Sequence, residues 1–188
     1  MRKKIVPIGL SLLFLSAAGC QNKEKVADKK MQEQEALALQ KISEYERILA
    51  ANPKDLEIMI ALGNVNYDMG KWSAAADSYL KVLVLDSTNV DVRTDLGTSY
   101  KQMGMLDLAE REFKKGIAIN PEHARAHYNL GVIYYDRGNL KGTLSEWEKS
   151  YSLEQDPYFK EVAKRNIDQL KQTIPESDID TTIPLTSK

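Results

Sequence analysis

Few residues in this chain could carry chemistry: one cysteine, Cys20, and two histidines, His123 and His127, among 188 residues. His123 and His127 stand four apart, which on a helix puts them on one face at the spacing of a two-ligand metal site. No cysteine accompanies them, and a third ligand would have to come from an Asp or Glu that the sequence does not single out. Packing or capping is therefore the expected role of both, and no metal is expected. A lone cysteine excludes an intramolecular disulfide, a Cys-rich zinc site and an iron–sulfur cluster. Asp107 with Glu110, and Glu110 with Lys114, have the spacing of surface charges on a helix. No GxSxG elbow, phosphate-binding glycine loop or HExxH motif occurs. Neither a catalytic residue nor a cofactor is expected, and the chain reads as a non-enzyme. The alternatives from other classes are a metal-dependent hydrolase using His123 and His127 and a structural homo-oligomer.

The charge balance narrows the partners. With 26 basic and 27 acidic side chains the net charge is −1, which gives no reason to bind nucleic acid. Residues 1–20 hold three basic side chains and no acidic one, so the 23 basic and 27 acidic side chains that follow form a mildly acidic remainder. Apolar residues at 43% and charged ones at 28% place the chain in the globular range, with room for one modest domain.

Residues 1–19 read as an export signal. Arg2, Lys3 and Lys4 precede an apolar run from Ile5 to Leu15, and Ser16-Ala17-Ala18-Gly19 supplies small residues just before Cys20. The run is about half the ~20 residues a membrane-spanning helix needs. Ala17-Ala18-Gly19-Cys20 resembles the lipobox of bacterial lipoproteins, with Ala17 where Leu is commonest. That resemblance implies cleavage before Cys20, a covalent lipid (palmitate or a similar acyl chain) on Cys20, and a bilayer as one partner. Gln21 rather than Asp follows the cysteine, so the expected location is the periplasmic face of the outer membrane. Residues 20–30 are charged and lack aromatics, so they read as the lipidated cysteine and a flexible tether.

The remainder repeats every 34 residues. Leu62-Gly63, Leu96-Gly97 and Leu130-Gly131 keep that interval, as do Gly70, Gly104 and Gly138 and the aromatics Tyr45, Tyr79, Phe113 and Trp147. Ala75, Ala109 and Thr143 hold one more position, and Asn52-Pro53, Asp86-Ser87 and Asn120-Pro121 mark the seams. Each unit reads as two antiparallel helices with a left-handed glycine between them. A glycine inside the first helix costs ~1 kcal/mol relative to Ala, so its recurrence points to a close neighbour, expected to be a backbone, with the aromatic plugging the space between the paired helices. Trp72 and Trp147 are expected in the core.

These residues resemble the tetratricopeptide repeat. The resemblance implies an all-α, right-handed superhelical solenoid of helix-turn-helix repeats: 31–55 an N-terminal helix and partial repeat, 56–89, 90–123 and 124–157 three full repeats. Residues 158–172 would form a capping helix and 173–188 a disordered tail. Asp156-Pro157 falls two residues late, so a local shift is expected near 150–157.

In that family the first helix of each unit lines a concave groove that holds a peptide or helix. In phase, the groove-facing residues are Glu57, Ile60, Asn64, Tyr67 and Asp68; Asp91, Thr94, Thr98, Lys101 and Gln102; then Arg125, Tyr128, Val132, Tyr135 and Asp136. The family's carboxylate-gripping branch uses Lys, Arg and Asn at two positions per helix. Here Ile60, Thr94, Tyr128 and Asn64, Thr98, Val132 occupy them, and only Asn64 matches. The expected function is a membrane-anchored scaffold or assembly factor of the bacterial cell envelope, holding an envelope protein in this groove.

Overall fold

Glycine sets the corners. Gly70, Gly104 and Gly138 adopt φ of 71°, 74° and 74°, a conformation open to glycine but strained for residues with a Cβ, and each reverses the chain between two helices. The computed structural model describes the backbone of residues 11–173 and the side chains of Val26 and of 28–173. The described residues form eight helices and no strand: α1 (Ser11–Ala51), α2 (Leu56–Asp68), α3 (Trp72–Leu85), α4 (Val90–Gln102), α5 (Leu106–Ile119), α6 (Ala124–Asp136), α7 (Leu140–Leu153) and α8 (Pro157–Thr173). The chain divides into a unit of residues 1–44 and a unit of residues 45–188.

The first unit is helical throughout its described part. Residues 21–30, expected as a flexible tether, lie inside α1. Their charge had hidden their helix propensity: Gln, Lys, Glu and Ala are good helix formers, neither Gly nor Pro interrupts them, and Lys29 reaches Glu33 one turn on at 3.8 Å. The side chain of Cys20 and residues 1–10 of the expected export signal lie outside what the structure describes, as does the tail from 174 onward. No helix among the described residues is long and apolar enough to cross a membrane.

The second unit stacks helix pairs. The start of each pair is capped by a side chain at a constant interval: Asp55 accepts from the Ile58 amide at 3.2 Å, Asn89 from Val92 at 3.1 Å and His123 from Ala126 at 3.1 Å. The capping position is thus a further element of the 34-residue period, and it accounts for His123. Within each pair the aromatic of the second helix lies against the glycine of the first. A Cβ added at Gly63 would stand 2.5 Å from Tyr79 Cε1, and one added at Gly97 would stand 2.5 Å from Phe113 Cε1; at Gly131 the ring of Trp147 blocks it. The close neighbour of each helical glycine is therefore an aromatic ring edge and not a backbone.

Three apolar layers follow from this pairing. Tyr79, Val82, Val92 and Leu96 centre the first, Phe113, Leu130 and Ile133 the second, and Trp147, Leu144, Ile167 and Leu170 the third. Leu49, near the end of α1, packs on the first layer. Helix α8 closes the third with Ala163, Ile167 and Leu170 buried. The link from α7 to α8 is Glu154–Asp156, where the preceding seams run 86–89 and 120–123. Trp147 is buried, but Trp72 is 36% exposed because it opens α3 at a pair's edge.

Candidate functional site

The first helices α2, α4 and α6 turn one face toward a common groove, and the start of α8 closes its end. The groove has a volume of about 550 Å³ and is lined by Asn64, Tyr67 and Asp68 of α2, Asp95 and Thr98 of α4, Arg125, Tyr128 and Asn129 of α6, and Phe159 and Val162 of α8. Tyr79, Ser150 and Glu154 complete it. Its floor is held by tyrosine hydroxyls. Tyr79 Oη donates to Asn64 Oδ1 at 2.7 Å, having passed the glycine gap at Gly63, and burial pushes its pKa up so that it stays a neutral donor. Gln102 Nε2 donates to Tyr67 Oη at 3.2 Å and Asn166 Nδ2 to Tyr128 Oη at 2.7 Å.

Six of the sequence-derived groove residues meet here: Asn64, Tyr67, Asp68, Thr98, Arg125 and Tyr128. The others are not among the lining residues: Ile60 packs on the first apolar layer, Gln102 reaches the groove only through its bond to Tyr67, and Glu57 lies in the first turn of α2. Asp91 bonds Arg125 and His123, each at 3.1 Å, at the seam. Thr94 is buried with its hydroxyl on the Val90 carbonyl at 2.8 Å. Val132 packs into the third apolar layer, and Tyr135 stacks on Trp147 with ring centres 5.9 Å apart. Lys101 is half-buried and Asp136 exposed, both beside the groove and not in it. Tyr128 both lines the groove and stacks on Trp147 at 5.9 Å, while Tyr135 stays 52% exposed on the other contact of that ring.

The groove residues absent from the sequence reading divide into two kinds. Asp95 and Asn129 are one repeat apart, so periodicity contained a signal for them. Ser150, Glu154, Phe159 and Val162 come from the end of α7, the link after it and α8, whose approach to the groove depends on how the shortened last seam aims the closing helix.

Arg125 is the groove's one lining base, and it is shared between Asp91 at 3.1 Å and Asp95 at 3.4 Å. Burial raises the Asp95 pKa and Asp91 adds to this, while Arg125 opposes both.

Both histidines are committed. His123 Nδ1 accepts the capping bond, so its proton sits on Nε2, which donates to Asp91. His127 Nδ1 lies 2.7 Å from Glu146 Oε2 and Nε2 lies 2.9 Å from the Pro121 carbonyl. Both partners are acceptors and so favour the doubly protonated ring: burial works against its charge, and the bonds to Glu146 and Pro121 outweigh it and hold the pKa above the ordinary value. No group of three or more His, Cys, Asp or Glu side chains able to hold a metal occurs among the described residues.

His127 repeats an arrangement one unit earlier. There Arg93 bonds Glu112 at 2.7 Å and the Ser87 carbonyl at 2.7 Å, and 34 residues on His127 bonds Glu146 and the Pro121 carbonyl. Each cation ties a second helix to the preceding seam. Only the histidine version titrates near neutrality. A pKa raised on folding contributes stability that is complete below the unfolded value of ~6.5 and is lost as pH rises through the folded value. As pH rises above about 6.5, the melting temperature of the wild type should accordingly fall more than that of His127→Arg. Equal slopes for the two proteins would mean that His127 is not charged in the folded state.

Residues 63–104 match the TPR repeat family and residues 94–158 the tetratricopeptide repeat family. No curated protein matches the chain. The crystal structure of MamA superposes with a TM-score of 0.62 at 26% identity, covering 70% of this chain and 75% of that one. The Yersinia enterocolitica type III secretion translocator chaperone SycD superposes with 0.58 at 24% identity, over 63% of this chain and 84% of that one. The first TPR of Spaghetti (RPAP3), bound to the HSP90 peptide SRMEEVD, gives 0.57 at 20% identity, over 63% and 91%.

Proposed function

Because the chain carries tetratricopeptide repeats, detected over residues 63–104 and 94–158, we propose that it is a protein-interaction scaffold without chemistry of its own, anchored by lipid at Cys20 in a bacterial cell envelope. The observation that carries the scaffold reading is the groove: a continuous concavity of about 550 Å³ to which three successive repeats and the closing helix each contribute polar side chains or apolar area. A cleft that size accepts several residues of an extended segment or one face of a helix. Protein ligands held by chains of this fold, as in the Spaghetti complex, support the reading.

Asn129 lies in α6 on the groove wall, half-buried and making none of the hydrogen bonds that hold the floor. Asn129→Trp should fill the cleft, abolishing capture of the envelope partner in intact-cell cross-linking while the cooperative thermal unfolding of the protein is retained. A partner retained at wild-type level by this variant would remove the groove as the binding site.

The anchor reading rests on the export signal and the small residues before Cys20. Acylation adds ~0.8 kcal/mol per buried methylene, so two chains suffice to hold a protein on a bilayer without a spanning helix. Cys20→Ser should shift the protein from the membrane pellet to the soluble fraction, and the wild type should incorporate labelled palmitate that the variant does not. Retention of Cys20→Ser on membranes would refute a lipid anchor at that residue. With Gln21 after the cysteine, the outer membrane is the proposed site.

A further inference from the structure

The groove's lining is chemically lopsided. Three carboxylates, of Asp68, Asp95 and Glu154, face it against one guanidinium, and Arg125 is already held by Asp91 and Asp95. Asp68 is exposed and makes no ion pair among the described residues. At the other end the surface is apolar. Phe159 is 58% exposed and lines the cleft with Val162 and the ring of Tyr128, and Tyr158 beside it, 71% exposed, meets Phe159 edge-on at 5.3 Å. Two neighbouring aromatics left in water are unusual for a helix start whose own core contacts are made by Ala163, Ile167 and Leu170. The acidic wall belongs to α2 and α4 and the aromatic shelf to α8, so a ligand lying along the groove meets them in order.

Resting on the scaffold reading above, we propose that the groove's occupant is a cationic segment of another protein with an apolar anchor. A Lys or Arg side chain would reach Asp68 and Asp95, and a large apolar side chain a few residues away would seat on Phe159, Val162 and Tyr128. Charge complementarity selects the cation, since an acidic segment would bring like charge against three carboxylates with no free base among the lining residues to meet it. The exposed ring selects the anchor, because binding energy concentrates where aromatic area is removed from water.

The test is display of random twelve-residue peptides against the full chain, followed by affinity measurement on the enriched sequences at low and high salt. The expected result is enrichment of peptides pairing Lys or Arg with Phe, Leu or Trp. Binding should weaken roughly tenfold in Phe159→Ala at any salt, and roughly tenfold in Asp68→Lys at low salt only. Both positions are exposed, and unchanged melting temperatures would show that the fold is retained. Enriched peptides that are lost in Asn129→Trp yet are acidic or uncharged, or are indifferent to Asp68→Lys, overturn this inference and leave the groove reading standing. Failure to enrich any peptide sensitive to Asn129→Trp overturns both.

Discussion

Gly97→Ala should unfold several degrees below the wild type, although alanine is the better helix former. The new Cβ would lie 2.5 Å from Phe113 Cε1 and 2.9 Å from Cδ1, distances real Cβ atoms do not show, and the ring is completely buried with nowhere to swing. Overpacking of this kind costs ~1–3 kcal/mol and sometimes more, which outweighs the ~1 kcal/mol that Gly to Ala contributes in a helix interior. A net loss at the upper end of that difference, about 2 kcal/mol, corresponds to a melting temperature lower by roughly 4–8 °C. Gly116→Ala is the control, since its Cβ would meet Val90 Cγ1 at 3.4 Å, and it should be neutral or slightly stabilising. Trimming the ring should rescue part of the loss, so Gly97→Ala with Phe113→Leu should be less destabilised than the two single costs added together. A Gly97→Ala protein as stable as Gly116→Ala would show that the ring edge does not govern this position.

Glu112→Ala should cost more, about 3–5 kcal/mol, because it strands a buried cation. Glu112 is 4% exposed and accepts from Arg93 at 2.7 Å and from Lys115 at 2.9 Å. Arg93 keeps a bond to the Ser87 carbonyl, but its Nε is already buried without a partner, so losing Glu112 leaves the guanidinium further under-bonded. Replacing both partners by apolar side chains of similar volume, Arg93→Met with Glu112→Leu, should be far milder, as the first unit of the solenoid indicates: there the corresponding residues are Met59 and Ser78, with no charge at all. Urea unfolding of the two singles and the double gives the coupling directly. Additive losses would mean that the pair does not interact. The same carboxylate sets an acid limit. Burial disfavours its charge, yet the bonds from Lys115 and Arg93 hold its pKa below the ordinary value. Its contribution is present above the unfolded carboxylate pKa and is lost as pH falls through the folded one, the opposite direction from His127.

How much of this could be read in the amino acids is clearest at particular positions. The interval between Gly63, Gly97 and Gly131 located the helix pairs, since a costly residue that recurs must meet a recurring neighbour. What that neighbour is, a ring edge from Tyr79, Phe113 or Trp147, depends on how two helices pack, which spacing alone does not specify. His123 and His127 looked like one pair four residues apart. They do different work because His123 stands at the capping turn, while His127 lies a turn into α6 against Glu146. The groove was legible for residues on α2, α4 and α6 that point inward in every unit. Thr94 and Val132 lie close to that face but turn into the layers between helices, and Tyr135 stays half exposed against Trp147, outside the residues that line the groove.

Local chemistry, repeated every 34 residues, determined by itself that this chain is an all-helical repeat protein: positive-φ glycines, side-chain caps and apolar stripes act within a few residues of their own position. Tertiary structure decided what the repeats enclose. The acidic wall is assembled from α2 and α4 and its aromatic end from α8, more than sixty residues further along the chain, where the last seam runs only from Glu154 to Asp156. A groove is a property of surfaces brought together by packing, and no periodicity within the repeats contains the direction in which the helix that ends them will point.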